Sequence, residues 1–190
     1  MENAKKKSKP KIIALIGKSG SRLEEIQTFI IKKLHAAPVR IYTNRPPQFI
    51  TTNFTIWQST DNLTADILCD PHIISATCIG DFVNASFIDD EHNLFVGIFT
   101  PDEVDSALVP NYELEVFPLY IETKDRIRLL RQLKQSYANV YEICNNFINE
   151  YKYFNKPYDF HVTVYQDNHN NHKFKGLLSI LDNFVKEKIK

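Results

Sequence analysis

The sequence predicts an α/β fold, with helices layered on both faces of a central parallel sheet and a smaller β-rich insert. Three observations carry that prediction. The run Ile12-Ile13-Ala14-Leu15-Ile16 is apolar throughout, as in a strand buried on both faces, and it leads through a short polar loop into an amphipathic helix. A second buried run at 94–99 follows a cluster of short strand-like segments between 53 and 88, so a small sheet interrupts a larger one. Beyond residue 123 the pattern is mostly helical.

In order along the chain, the first strand is 12–16 and the first helix follows from about residue 21, with Leu23, Ile26, Ile30 and Leu34 on one face and Lys32 and Lys33 towards water. Residues 39–42 form the second strand, and Pro46 and Pro47 end it in a loop that begins at about Thr43. Short strands are expected at 53–57, 73–79 and 82–88, with a turn at Gly80-Asp81 and a modest helix over 60–68. Thr100-Pro-Asp-Glu103 reads as a capping box with proline in the first helical position, opening a helix to about Leu108. A strand at 115–121, irregular at Pro118, precedes a helix capped by Thr123. Helical pattern then runs to about 154 with a break near 136–139, followed by a strand at 160–165 and a last helix over 173–189.

At 190 residues and 43 % hydrophobic content, the chain suits one domain with a substantial core, residues 11–190 behind a basic, flexible tail at 1–10. The balance of 23 basic against 23 acidic residues argues against a nucleic-acid partner. No apolar stretch is long enough to span a membrane and no hydrophobic leader opens the sequence, which points to a cytoplasmic protein with no membrane partner. Cys69, Cys78 and Cys144 lack metal-ligand spacing and read as buried or half-buried thiols. His161, Asp167, His169 and His172 lie close in sequence, but their Asn-rich segment has loop composition, so no metal site is predicted there.

The most informative segment is Gly17-Lys18-Ser19-Gly20-Ser21-Arg22-Leu23-Glu24, which begins like a phosphate-binding loop between strand and helix. In a working loop the second glycine, a lysine and a hydroxyl would stand where Arg22, Leu23 and Glu24 stand. Ser21 and Glu24 are instead placed to form a capping box, which would use amide donors and put a carboxylate at the positive end of the helix dipole. Lys18 and Arg22 keep cationic character in the loop.

Together with Tyr42-Thr-Asn-Arg-Pro-Pro-Gln48, the β-rich insert and Tyr120-Ile-Glu-Thr-Lys-Asp-Arg-Ile-Arg-Leu-Leu-Arg131, this loop resembles the guanylate kinases, which are nucleoside monophosphate kinases with a P-loop NTPase fold. The resemblance implies an acceptor-nucleotide insert at about 43–93 and a helical lid at about 132–156. Residues 17–22 would be the phosphate loop. Thr43, Arg45, Gln48 and Asn84 would be the acceptor-binding set, and Arg128 and Arg131 the lid arginines. Gln48 stands where a second phosphate-binding arginine is usual, and Phe82-Val-Asn-Ala85 lacks the glycine and hydroxyl of the corresponding element. Arg126, Arg128 and Arg131 have two open readings, phosphate contact or a helix face paired with acids such as Glu122 and Asp125.

Phosphoryl transfer depends on positioned charge, and several of the family's clamps are missing. The first reading is therefore a catalytically impaired guanylate-kinase-like binding or regulatory module for an anionic, GMP-like nucleotide or a phosphorylated protein. The second is an active (deoxy)nucleoside monophosphate kinase using ATP and Mg2+ through an atypical loop, with Lys18, Arg22 and Arg131 as the catalytic candidates.

Overall fold

A computed structural model describes residues 8–46, 54–57, 69–79, 81–108, 111, 113–135, 140–154, 161–163 and 183. It is mixed α/β, with parallel strand pairs and helices, as the sequence predicts. The chain divides into two compact units, residues 1–14 with 27–117 and residues 15–26 with 118–190. Strands β1 (Lys11–Ile16) and β8 (Glu115–Glu122) each run from the first into the second.

In the first unit, β2 (Ala37–Pro38) pairs in parallel with β7 (Leu94–Ile98), which lies beside β1. Ile12, Ile13, Ala14, Phe95 and Val96 are wholly buried, which is why these segments read as continuous apolar runs and not as alternating ones. The helix α1 (Leu23–Leu34) buries Ile26 and Ile30, and the Gln27 amide, also buried, donates to the Val96 carbonyl at 3.0 Å. A second sheet has the order β4-β3-β6-β5, formed by Thr55–Trp57, Arg40–Thr43, Phe82–Phe87 and Ile73–Ile79. Here β3 and β5 both lie antiparallel to β6.

The predicted second strand at 39–42 is corrected by this arrangement. Val39 N–H donates to Val96 O, whereas Ile41 N–H donates to Phe54 O, so the chain changes sheets at Val39. The predicted capping box at Thr100 forms in full and opens α2 (Pro101–Glu103), which widens into a π-helical turn over Val104–Leu108. In the second unit β8 pairs in parallel with β9 (His161–Thr163), and helices α3 (Asp125–Gln135) and α4 (Val140–Tyr153) follow β8.

Three local expectations fail. Thr123 does not cap α3: its hydroxyl is buried without a hydrogen-bond partner among the described residues, and the amides of Ile127 and Arg128 bond to the Lys124 carbonyl. All three cysteines are exposed. Cys78 lies on the edge strand β5, and Cys144 follows the buried Ile143 on the outer side of α4. The Ser21–Glu24 box is the third and is treated below. The predicted helices at 60–68 and 173–189, the break at 136–139 and the histidines at 169 and 172 lie outside the described residues, apart from a helical Asn183. Among the described residues no helix is long and apolar enough to cross a membrane, and no cluster of His, Cys, Asp or Glu could hold a metal ion.

Candidate functional site

The loop after β1 is a tight turn in which Ser21 N–H returns to the Lys18 carbonyl at 3.1 Å. Gly20 has φ 79°, and a Cβ there would lie 2.9 Å from the Arg128 carbonyl, so both backbone angle and space require glycine. Arg22 has φ 61°, although an L-residue with a side chain loses about 1–2 kcal/mol in that region. The position where the phosphate-loop pattern asks for glycine thus has a backbone that favours glycine, while carrying an arginine.

The predicted Ser21–Glu24 capping box is absent. Ser21 is 2 % exposed and its Oγ has no hydrogen-bond partner among the described residues, while Ile26 N–H bonds to the Arg22 carbonyl, so α1 starts from Arg22. Arg22, whose carbonyl accepts this first helical bond, thus holds the N-cap position, and Ser21 stands one residue before it. The acidic first turn is real: Glu24 is exposed, and Glu25 pairs with Arg22 at 3.0 Å.

What occupies the loop comes from α3 and α4. Ser19 N–H donates to Glu150 Oε1 at 2.7 Å, and Glu150 Oε2 accepts from Arg128 Nη1 at 2.8 Å. The same guanidinium donates to the Ser19 carbonyl at 2.9 Å and to Asp125 Oδ1, and it stacks over the Phe147 ring at 4.6 Å. Its side chain is 0 % exposed. Such a buried cation persists only when its donors are matched to acceptors, and Asp125, Glu150 and the loop carbonyl supply them. Arg131 Nη1 donates to the Gly20 carbonyl at 2.6 Å. Burial, and then the charge of Arg22, hold the Arg131 guanidinium below its ordinary pKa, with Glu25 acting in the opposite direction.

Lys18 lies with its ammonium 4.0 Å above the Tyr151 ring, a cation–π contact, and the Tyr151 hydroxyl donates to Asp125 Oδ2. Burial works to raise the Asp125 carboxyl, but hydrogen bonds from Tyr151 and Arg128 and the charges of Arg128 and Lys18 leave it below the usual carboxylate value. The hydrogen bond to Asp125 raises the Tyr151 phenol, and burial adds to this. A cavity of about 330 Å³ lies here, lined by Lys18, Ser21, Thr123, Arg128 and Tyr151 among others.

Arg128 and Arg131 are therefore brought to the loop, as one open reading required, but they meet its backbone carbonyls and, for Arg128, acids. Glu150 and Tyr151 were missed by sequence reasoning. Their positions on α4 carry no motif, and Glu150 is 131 residues from its partner Ser19.

The predicted acceptor residues lie in the first unit. Thr43, buried, is directly opposite Asn84 in the β3–β6 ladder, so the fold unites two residues far apart in the sequence. Thr43 Oγ1 accepts from Arg45 N–H at 3.1 Å, and the Arg45 side chain is exposed. Asn44, which the sequence reading passed over, fixes the turn by accepting from Val83 N–H at 2.8 Å. Tyr42 stacks on Phe87 with ring centroids 4.3 Å apart. Gln48 lies outside the described residues.

No family model matches the chain, and no curated protein sequence does. Among solved structures, the chain is similar to the guanylate kinase from Anaplasma phagocytophilum at 10 % sequence identity and a TM-score of 0.55, over 96 % of this chain and 88 % of that one. At that identity the likeness establishes the fold.

Proposed function

We propose that this chain is a guanylate-kinase-like protein impaired in phosphoryl transfer, serving as a binding or regulatory module for an anionic nucleotide or a phosphorylated partner. One observation carries the reading. The two arginines suited to stabilising a transferring phosphoryl group, Arg128 and Arg131, are committed to the carbonyls of Ser19 and Gly20. Phosphoryl transfer is catalysed by such charges, and losing one donor of this kind costs about 10²–10³ in rate.

ATP with Mg2+ does not fit the loop as built. The Ser19 amide, a natural phosphate donor, is held by Glu150, and position 24 offers a carboxylate in place of the hydroxyl that would ligate the metal. The recognition element in this reading is the Thr43–Arg45 turn with Asn84, where an exposed guanidinium follows a buried hydroxyl. A guanidinium is well suited to a phosphate monoester, which it meets with two parallel hydrogen bonds.

A coupled ADP-release assay over GMP, dGMP and the other monophosphates, beside calorimetry with ATP, GMP and phosphopeptides, tests this. The expected result is no turnover, with binding of GMP or a phosphopeptide that Arg45→Ala abolishes. ATP-dependent turnover that disappears in Lys18→Ala would establish the active-kinase alternative.

A further inference from the structure

We propose that the 17–22 loop is an anion site closed by the chain's own carboxylate, with Glu150 as an internal competitor that inorganic pyrophosphate displaces. This rests on reading the loop as a phosphate-type loop that is not engaged in catalysis. The Glu150 carboxylate spans a loop amide and a guanidinium, Ser19 N–H at 2.7 Å and Arg128 Nη1 at 2.8 Å, which is the pair of donor types that holds a phosphate oxygen. The next residue, Tyr151, covers the ammonium of the preceding loop residue, Lys18. Two consecutive residues of α4 therefore engage two consecutive residues of the loop.

A second observation points to a ligand independently of Glu150. Ser21 and Thr123 are 2 % and 5 % exposed, their hydroxyls have no hydrogen-bond partner among the described residues, and both residues line the 330 Å³ cavity together with Lys18. Buried hydroxyls left this way are costly, and an oxyanion satisfies them. The cavity thus combines two hydroxyls and an ammonium beside an amide and a guanidinium already arranged around a negative charge.

The consequence is a population-shift argument. A tethered carboxylate competes at an effective concentration of about millimolar or above, so apparent affinity for a free anion falls by the fraction of molecules in which α4 has released the loop. Removing the charge while keeping the shape should return that factor. Pyrophosphate is a suitable probe because it has neither a nucleoside nor an acceptor, so its binding is measured independently of turnover.

Calorimetry with inorganic pyrophosphate on the wild type, Glu150→Gln and Glu142→Gln gives the test. Glu150→Gln is expected to bind at least about tenfold more tightly than wild type, and adding Lys18→Ala should cancel the gain. Glu142→Gln, an exposed acid of the same helix, should match wild type. A folded Glu150→Gln with unchanged or weaker affinity overturns the proposal. Should Glu150→Gln fail to fold, hydrogen–deuterium exchange of wild-type α4 decides. Faster exchange in pyrophosphate supports displacement, and unchanged or slower exchange at the highest soluble concentration overturns it. Turnover in the ADP-release assay would instead defeat the impaired-kinase reading and leave the Glu150→Gln affinity ratio to be judged separately.

Discussion

The loop after β1 and the turn after β3 both carry cationic residues, yet they use them in opposite ways. At the loop, Arg128 is wholly buried and its donors meet Asp125, Glu150 and the Ser19 carbonyl, while Lys18 lies against an aromatic ring. At the turn, the Arg45 side chain is exposed above a buried Thr43. Removing a buried, paired cation is costly because its partner charges are left desolvated, whereas a charge at an exposed site is worth little to folding. The contrast separates a cation whose removal should unsettle the fold from one whose removal should not.

Replacing each arginine is the strongest way to break that comparison. Arg128→Met leaves Glu150, whose side chain is only 14 % exposed, beside Asp125 without their shared cation. The expected loss is about 3–5 kcal/mol in urea unfolding, read as a lower midpoint at constant slope. Arg45→Met should stay within about 0.5 kcal/mol of wild type, as for an exposed site outside the core. Equal losses at the two positions would remove the distinction between them.

Within the loop, two backbone substitutions of opposite sign sharpen the account. Gly20→Ala places a side chain at φ 79° and 2.9 Å from the Arg128 carbonyl, and should cost about 1–2 kcal/mol from the backbone alone. Arg22→Gly releases an arginine from φ 61°, a relief of about 1–2 kcal/mol offset by about 0.5–1 kcal/mol of added freedom in the unfolded chain. A small net gain in denaturation midpoint is expected. A loss would mean that the half-exposed Arg22–Glu25 pair outweighs the backbone term.

What was legible in the sequence was local. The capping box at Thr100 spans four residues and forms as predicted, and 73–79 reads as a strand because its composition and bounding turns suffice. The caps at Ser21 and Thr123 failed although their residue types are good caps, because each helix takes its first carbonyl acceptor from the next residue, Arg22 or Lys124, which leaves the hydroxyl one position too early. Helical spacing put Arg128 and Arg131 on one face, and that was sound. It could not supply Glu150, whose role depends on α4 meeting a loop 131 residues earlier. Nor could periodicity show that the chain changes sheets at Val39, since a buried valine looks the same in either sheet.

The smallest effect tests whether charge in the first unit is ever structural. The His72 ring lies between Asp70 Oδ1 at 2.7 Å and Asp90 Oδ2 at 2.8 Å, joining the turn before β5 to the segment after β6. The hydrogen bond to Asp90, then that to Asp70, raises the His72 pKa against a small opposing effect of burial. Because the folded value lies above the unfolded value of about 6.5, the stabilisation is fully present below that pH and fades as pH rises through the raised folded value. The side chain is 41 % exposed, so screening keeps the contribution small. Thermal melts of His72→Gln should therefore fall about 1–2 °C below wild type near pH 6 and converge with it in mildly alkaline buffer, with the gap narrowing in high salt. A gap that persists at alkaline pH would mean that the ring acts through neutral hydrogen bonds and packing and not through paired charge.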